Sequence, residues 1–300
     1  MFEGFAQATI DTGEALIRVR HGGHGPPVLM LHGIPQTHVM WHKIAPQLAK
    51  NFTIVISDLR GYGDSSKPPT TPDHAPYSKR AMARDQVEVM RQLSFDRFFL
   101  VGHDRGARCA YRMALDHPDR VLKLAVLDIV PTGDVFRRTD MKLGLAFWIW
   151  FFLAQPYDLP ERVVGANPQL FLDYMLDNWS GSANAFTTEA RAEYLRTFRR
   201  PETIHAICEE YRAAATFDVQ HDEADRGRRR ITCPVLALWS RQGFLQSWDD
   251  VLVVWRTWAD DVRGRALDCG HFLAEEAPDE TYRELSAFFA EGHREARSEQ

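Results

Sequence analysis

The chain is poor in the residues and patterns that mark several common classes of protein. Only four of its 300 residues are cysteines, and they form no C-x-x-C pair and no spacing that suits a metal. Such scattered cysteines predict reduced thiols, with neither a disulfide framework nor a zinc or other metal site. The cysteines are Cys109, Cys208, Cys233 and Cys269.

Long apolar runs and a strong charge bias are also lacking. The aromatic segment 143–154 is shorter than the roughly 20 residues of a membrane span, so we predict a buried or lid helix there. A role at a membrane surface or a dimer interface is the alternative. Residues 1–6 lack the features of a secretory signal, which favours a cytoplasmic protein with no membrane partner. The net charge of -5 argues against nucleic acid, and the arginine run at 226–230 is interpreted as a solvated connection.

What the chain does contain is a regular alternation of two kinds of segment. Short apolar runs at 27–32, 52–58 and 98–101 are separated by segments with helical periodicity. This order is typical of an α/β fold, in which a mostly parallel sheet carries helices on both faces.

The pattern changes in the second half of the chain. Residues 131–230 are rich in aromatic residues and helix formers, and they show no convincing strand before strand character returns at 233–239. We therefore predict a core built from residues 1–130 and 231–300, with a helical cap inserted at 131–230.

The most informative stretch is 98–108, where an apolar run enters a turn with glycine on both sides of a single acid. Gly102 and Gly106 stand two places from Asp104, where larger side chains would collide with neighbouring backbone. This pattern indicates the nucleophile elbow of the α/β-hydrolase fold, with Asp104 in place of the usual serine. A carboxylate is ionised at neutral pH and can displace a halide or an epoxide oxygen from saturated carbon.

The ester formed in this way must be cleaved by water, which requires a general base. His271 follows a glycine near the carboxyl end, as the chain order of nucleophile, acid and histidine demands. The acid that holds its tautomer should follow the strand before the cap or the strand after it. The run 121–127 ends in Asp128, whereas no carboxylate directly follows 233–239, so we predict Asp128.

Two further features concern the stabilisation of charge. The Ile34 backbone N–H, in the segment 32–35, should form an oxyanion hole with the N–H of Arg105, directly after the nucleophile. Arg108 lies four residues after Asp104 on the same helix, and paired guanidinium groups bind a carboxylate in a forked geometry. We therefore predict a small anionic substrate with a leaving group beside its carboxylate. Ordinary surface salt bridges are the alternative.

With these residues the sequence resembles the fluoroacetate, or haloacetate, dehalogenase family of α/β-hydrolases over nearly its whole length. The arginine after the nucleophile is the discriminating residue, because related epoxide hydrolases and haloalkane dehalogenases typically carry tryptophan there. The resemblance rests on segments 32–41 (HGIPQTHVMW), 102–108 (GHDRGAR), 127–129 (LDI), 152–156 (FLAQP), 208–213 (CEEYRA) and 270–272 (GHF).

The resemblance implies that the enzyme hydrolyses small 2-haloacids without a cofactor. It assigns Asp104 as nucleophile, His271 as base, Asp128 as its partner, and Arg105 and Arg108 as the carboxylate clamp. The resemblance also points to a homodimer.

The family holds the departing halide with a histidine-tryptophan pair and a tyrosine. Trp150 and Tyr211 fill two of these places, but Ile149 stands where the family's fluoride-binding histidine is expected. Fluoride is strongly hydrated, and the carbon-fluorine bond is the strongest carbon-halogen bond. We therefore predict that chloroacetate and bromoacetate are hydrolysed and that fluoroacetate is a poor substrate.

Two other functions remain open on the sequence alone. An epoxide hydrolase would use the same triad with two cap tyrosines, Tyr211 and one of Tyr174, Tyr157 and Tyr194. A hydrolase-like binding protein would keep the fold without turnover. Release of halide from chloroacetate, as opposed to diol from styrene oxide, separates the two enzymes.

Overall fold

The computed structural model describes residues 1–247 and 250–291, and the strands within them form one eight-stranded sheet. These are β1 (Ala6–Asp11), β2 (Leu16–Gly23), β3 (Pro27–Leu31), β4 (Thr53–Ser57), β5 (Phe98–His103), β6 (Val121–Leu127), β7 (Val235–Ser240) and β8 (Val262–Leu267). Their order is β1-β2-β4-β3-β5-β6-β7-β8, and the six strands from β3 to β8 are parallel. The predicted α/β-hydrolase fold with its mostly parallel sheet is confirmed.

The helices fall into two groups. Those of the core are α1 (Ala45–Leu48), α2 (Lys79–Gln92), α3 (Arg105–Asp116), α12 (Val251–Arg256), α13 (Leu273–Glu276) and α14 (Pro278–Ala290). Those between β6 and β7 are α4 (Thr132–Arg137), α5 (Met141–Ala146), α6 (Trp148–Leu153), α7 (Leu159–Ala166), α8 (Pro168–Trp179), α9 (Thr188–Phe198), α10 (Pro201–Ala213) and α11 (Val219–Asp225). We refer to the second group as the cap helices.

The burial of the central strands explains why the apolar runs in the sequence predicted these strands clearly. Every residue of β5 is buried, and β3 and β4 are buried except at their first residue. Strands of a parallel sheet covered on both faces consist of continuous apolar runs, as these do. The carboxyl ends of β3, β5 and β6 lead directly into segments that carry Ile34, Asp104 and Asp128, so the sheet itself gathers these residues.

The edges of the sheet were not predicted. β1 and β2 form an antiparallel pair, and β2 joins β4 in antiparallel orientation. The aromatic segment 143–154 also differs from the single helix expected, because α5 and α6 are separated at Phe147. In the part of the chain that the structure describes, no helix is long and apolar enough to cross a membrane.

Candidate active site

The turn between β5 and α3 consists of Asp104 alone. Its backbone has φ 45° and ψ -116°, a strained conformation for a residue with a side chain. A Cβ at Gly102 would lie 2.5 Å from the backbone nitrogen of Ala107, and one at Gly106 would lie 2.3 Å from the His32 carbonyl oxygen. Both positions therefore require glycine, and the tight turn presents Asp104 at the edge of the sheet.

The carboxylate of Asp104 is held by one oxygen only. The backbone N–H of Ile34 donates to Oδ2 at 3.1 Å, whereas Oδ1 accepts no hydrogen bond from any residue that the structure describes. Burial raises the pKa of Asp104, but the charges of His271 and Arg105 outweigh burial, so the pKa lies below its usual value. Asp104 therefore carries a negative charge and one unengaged oxygen.

Asp128 and His271 form a hydrogen-bonded pair on the same side of the sheet. Nδ1 of His271 lies 2.6 Å from Oδ2 of Asp128, and Oδ1 of Asp128 accepts the backbone N–H of Ser240 at 2.8 Å. Nε2 of His271 is buried and has no hydrogen-bond partner among the described residues. Burial lowers the pKa of His271, but Asp128, and then Asp104, raise it above its usual value. The arrangement leaves Nε2 free to take a proton.

A second histidine, which sequence reasoning did not single out, holds the loop of His271. Nε2 of His103, the last residue of β5, lies 2.7 Å from the carbonyl oxygen of His271 and must donate to it. Burial and the nearby His271 lower the pKa of His103 to about 4, so it stays neutral. The backbone N–H of His271 donates to the carbonyl of Trp179 at 2.8 Å. The loop is thus fixed to both the core and the cap helices.

Arg105 and Arg108, both fully or almost fully buried, have different partners. Nε of Arg105 donates to Glu210 at 2.8 Å, while its Nη1 and Nη2 have no partner among the described residues. Arg108 donates Nη1 to the carbonyl of Val130 at 3.0 Å and to the hydroxyl of Thr132 at 3.2 Å. Arg108 forms no ion pair with a described residue, and its Nε is buried without a partner.

This difference in partners is reflected in the pKa values of the two guanidinium groups. Burial lowers the pKa of Arg105, but Glu210 more than compensates and holds it above its usual value. Burial and the adjacent charge of Arg105 lower the pKa of Arg108 to about 10. Both groups are therefore cationic at neutral pH, and between them they leave three buried nitrogens with unused N–H donors.

A cavity of about 330 Å³ lies between the sheet and the cap helices. Its wall includes Asp104, Asp128, His271, Arg108, Ile149, Trp150, Trp179, Tyr211, Phe147, Phe244, Leu245 and Gln242. Arg105 is not part of this wall. Its guanidinium carbon lies 4.1 Å from the centre of the Tyr211 ring and 5.2 Å from that of Trp150, and both rings do line the cavity.

The side chains predicted to hold the halide lie together at this cavity. Neither the indole N–H of Trp150 nor the hydroxyl of Tyr211 has a hydrogen-bond partner among residues 1–247 and 250–291, so both donors are available. Ile149, by contrast, offers only hydrocarbon. It also lines a second, very small apolar cavity with residues such as Leu153, Val164 and Met175.

Among the residues that the structure describes, the cavity has no second tyrosine of the kind that an epoxide hydrolase would need. Of the four tyrosines considered, Tyr211 alone is among the described lining residues. Tyr157 is 73% exposed, Tyr174 accepts a hydrogen bond from Trp148, and Tyr194 is buried and donates to Glu275. The sequence identified these tyrosines by their position in the cap, which did not reveal their orientation.

Residues 26–278 match the α/β hydrolase fold family, and the chain belongs to that family. The chain is 47% identical to a fluoroacetate dehalogenase of a Burkholderia species, over 97% of this chain and 96% of that protein. It is also 33% identical to a soluble epoxide hydrolase of Corynebacterium sp. strain C12, over 89% of this chain and 91% of that protein.

Some solved structures of similar proteins are also described as hydrolases. A protein of Nostoc sp. PCC 7120 described as an α/β hydrolase is 56% identical, with a TM-score of 0.96 over 97% of this chain and all of that one (100%). A mutant protein from Pseudomonas aeruginosa, described as an epoxide hydrolase with bound MFA, is 47% identical, with a TM-score of 0.91 over 98% of both chains. The protein is a haloacetate dehalogenase-like α/β hydrolase.

Proposed function

We propose that this protein is a hydrolytic dehalogenase that converts small 2-haloacids to 2-hydroxyacids through an ester on Asp104. The observation that carries the proposal is an aspartate at the elbow with two buried arginines on the helix that follows it. A carboxylate nucleophile and a substrate carboxylate repel each other. The positive charges of Arg105 and Arg108 offset this repulsion and leave N–H donors for the substrate.

In the first step, Oδ1 of Asp104 attacks the carbon that bears the halogen. The carbon-oxygen bond forms as the carbon-halogen bond breaks, and the halide leaves with the bonding electron pair. Trp150 and Tyr211 are the donors available to stabilise that halide as its charge develops. The product of this step is an alkyl ester of Asp104 and a free halide ion.

In the second step, His271 removes a proton from water through Nε2, and the resulting hydroxide attacks the ester carbonyl of Asp104. Asp128 stabilises the imidazolium through its hydrogen bond to Nδ1. The oxyanion is stabilised by the N–H of Ile34, which already donates to Oδ2, and by the N–H of Arg105 at the free start of α3. As the intermediate collapses, the bond between the acyl carbon and the alkoxide oxygen breaks, and the alkoxide takes the proton from the His271 imidazolium and leaves as the 2-hydroxyacid. The second proton of the water is released to solvent, and Asp104 returns to its carboxylate form with one water-derived oxygen.

The identity of the halide depends on Ile149. A side chain without a donor at this point costs fluoride one hydrogen bond, which removes about 1.5 to 3 kcal/mol of stabilisation and one to two powers of ten in rate. Chloride and bromide are less strongly hydrated and leave from weaker bonds. We therefore favour chloroacetate and bromoacetate over fluoroacetate as substrates.

A halide-release assay with chloroacetate, bromoacetate, fluoroacetate and 2-chloropropionate tests the reaction. In a single turnover in oxygen-18 water, the label should enter Asp104. Direct attack of water on the substrate would instead place it in the product. The substitution His271→Gln should trap the ester as a mass increase on the peptide that contains Asp104. Undiminished activity in Asp104→Asn, with deamidation excluded by mass spectrometry, would refute the proposal.

An epoxide hydrolase is the alternative, since the chain is also similar to members of that class. Tyr211 could donate to an epoxide oxygen, but the cavity wall offers no second tyrosine among its described residues. Diol formation from styrene oxide without halide release from any haloacid would establish the alternative.

A homodimer is also part of the proposal. Met141, Leu145, Leu159 and Leu170 are 82%, 69%, 56% and 61% exposed on the cap helices, a set of apolar side chains that a second copy would cover. Light scattering after size exclusion should give twice the 34.4 kDa of the chain, and a monomer at micromolar concentration would contradict it.

A further inference from the structure

Glu210 on α10 is fully buried and accepts hydrogen bonds from three side chains. Its Oε1 accepts from Nε of Arg105 at 2.8 Å and from Nζ of Lys79, and its Oε2 accepts from the hydroxyl of Tyr62. Burial raises the pKa of Glu210, but Arg105 and Lys79 bring it below its usual value. An ionised carboxylate with all its partners provided by the protein is thus fixed beside the proposed substrate site.

The bond to Glu210 determines how Arg105 is oriented. It occupies Nε, which leaves Nη1 and Nη2, the pair at the end of the guanidinium group, as the unused donors. Two neighbouring N–H donors of this kind can bind a carboxylate with two parallel hydrogen bonds. Tyr211, the next residue of α10, packs its ring against the same guanidinium at 4.1 Å. Two consecutive residues of α10 therefore hold Arg105: Glu210 binds the Nε edge of its guanidinium group, and Tyr211 packs against the flat face of that group.

Lys79 and Tyr62 matter because they hold Glu210 in turn. Both are buried, and they approach the carboxylate from α2 and from the loop after β4. Without them, the Glu210 carboxylate could rotate and accept hydrogen bonds from Nη1 and Nη2 of Arg105, the donors that a substrate needs. The cluster leaves no unengaged oxygen on Glu210 and two unengaged nitrogens on Arg105.

We propose that Glu210 is a positioning residue, which orients the Arg105 guanidinium so that its end pair of N–H groups receives the substrate carboxylate. This inference rests on the proposed function for the identity of the anion. It does not depend on turnover, because binding of a simple carboxylate can be measured without any reaction.

The test compares Glu210→Gln with Glu209→Gln. Glu209 is the preceding residue of α10, is also buried, and is paired with Arg212 at 2.7 Å and with His74 at 2.8 Å rather than with Arg105. Calorimetric titration with acetate should give a Kd about tenfold higher for Glu210→Gln and unchanged for Glu209→Gln, since only the first loosens Arg105. With bromoacetate as substrate, KM should rise about tenfold while kcat changes less than about threefold, because the lost contact is made equally in ground and transition states. Glu210→Asp, which keeps the charge, should lie between the two.

Removal of Glu210 leaves Lys79 buried without its partner, and this alone could prevent folding. The double variant Lys79→Met with Glu210→Gln removes one charge of each sign, and the same weakening of acetate binding is expected there. An acetate Kd like that of the wild type in a folded Glu210 variant, or a loss of kcat with unchanged KM, would overturn the inference. So would a wild-type protein that binds no acetate. Acetate binding that weakens as expected, in a protein that releases no halide, would reject the proposed function and uphold the role of Glu210.

Discussion

The two groups of side chains proposed to hold the substrate come from different parts of the molecule, and we call Arg105 and Arg108 the carboxylate end and Trp150, Tyr211 and Ile149 the halide end. The two groups are in contact, because the guanidinium carbon of Arg108 lies 4.2 Å from the centre of the Trp150 ring and that of Arg105 lies 4.1 Å from the centre of the Tyr211 ring. At the carboxylate end, Arg105 and Arg108 project from α3 in the core, and each is held by several contacts to other buried groups. At the halide end, Trp150 and Tyr211 project from the cap helices α6 and α10, and their polar atoms have no partner among the described residues. Ile149 adds only hydrocarbon at this end.

The difference indicates that recognition of the acid and stabilisation of the leaving group depend on separate parts of the protein. The fixed arginines of the core would select an anion of a given kind, whereas donors carried by the cap helices would set which leaving group is stabilised. A single change in the cap, such as isoleucine for histidine at position 149, can therefore alter the halide preference and leave recognition of the acid unchanged. This separation can be tested from both ends.

The largest effect is expected at the carboxylate end. Arg108→Met removes hydrogen bonds to a charged group, each contributing about 1.5 to 3 kcal/mol, so kcat/KM for bromoacetate should fall at least about a hundredfold. Arg108 forms no ion pair with a residue that the structure describes, and burial and Arg105 disfavour its charge more than the nearby Asp104 favours it, so its removal should leave the melting temperature unchanged or raise it. Arg105→Met leaves Glu210 with one cation fewer and should lower the melting temperature.

Halide release and thermal unfolding measured on both variants check this prediction. Arg108→Lys is the matched control, because it keeps the charge but loses the planar fork and should show an intermediate kcat/KM. An Arg108→Met variant that is as active as the wild type toward bromoacetate would show that the acid is recognised elsewhere.

A smaller effect is expected at the halide end of the unmodified protein. The rate of fluoride release from fluoroacetate should be about ten- to a hundredfold below that of chloride release from chloroacetate, beyond the intrinsic difference between the bonds, because one donor is missing. Acetate inhibition constants measured against the two substrates should be equal, since the carboxylate end is shared. Rapid defluorination by the wild type would remove the basis for assigning this role to position 149.

The sequence predicted the core more fully than the cap. Buried parallel strands and the glycines around Asp104 each leave a signal in consecutive residues, so the fold class and the elbow could be recognised from local patterns alone. The edge strands β1 and β2 left a weaker signal, because their alternating faces are half exposed. The roles assigned to Asp104, Asp128 and His271 stay predictions, although the structure brings all three to one cavity.

Contacts made between distant segments were beyond sequence reasoning. Glu210 stands beside Tyr211 in the quoted segment 208–213, but nothing in the sequence indicates that it meets Lys79 and Tyr62, which lie more than a hundred residues earlier. The same holds for the orientation of Tyr174 and Tyr194. Local spacing fixes which face of a helix a residue occupies, whereas its partner depends on how helices from separate parts of the chain pack.

The two ends should also differ in their response to pH. His271 acts as a base only when neutral, and its pKa is raised, so kcat should fall about tenfold per pH unit below a midpoint that lies above the usual value for histidine. Acetate binding should depend much less on pH than kcat does, because the guanidinium groups of Arg105 and Arg108 stay cationic. Asp128→Asn should move the acid limb of kcat to lower pH and leave the acetate Kd unchanged. Parallel pH profiles for the two quantities would contradict the separation of the two ends.

The smallest effect is expected from restoring the missing donor. Ile149→His should increase fluoride release from fluoroacetate, because an imidazole N–H would face the cavity beside Trp150. The gain should be below about tenfold, since the other ring nitrogen would meet the apolar wall that contains Leu153 and Val164 and would lack a partner there. Ile149→Leu, which adds no donor, is the matched control and should leave the ratio of fluoride to chloride release unchanged. A rise in chloride and fluoride release by the same factor would indicate a change of cavity shape rather than stabilisation of the halide.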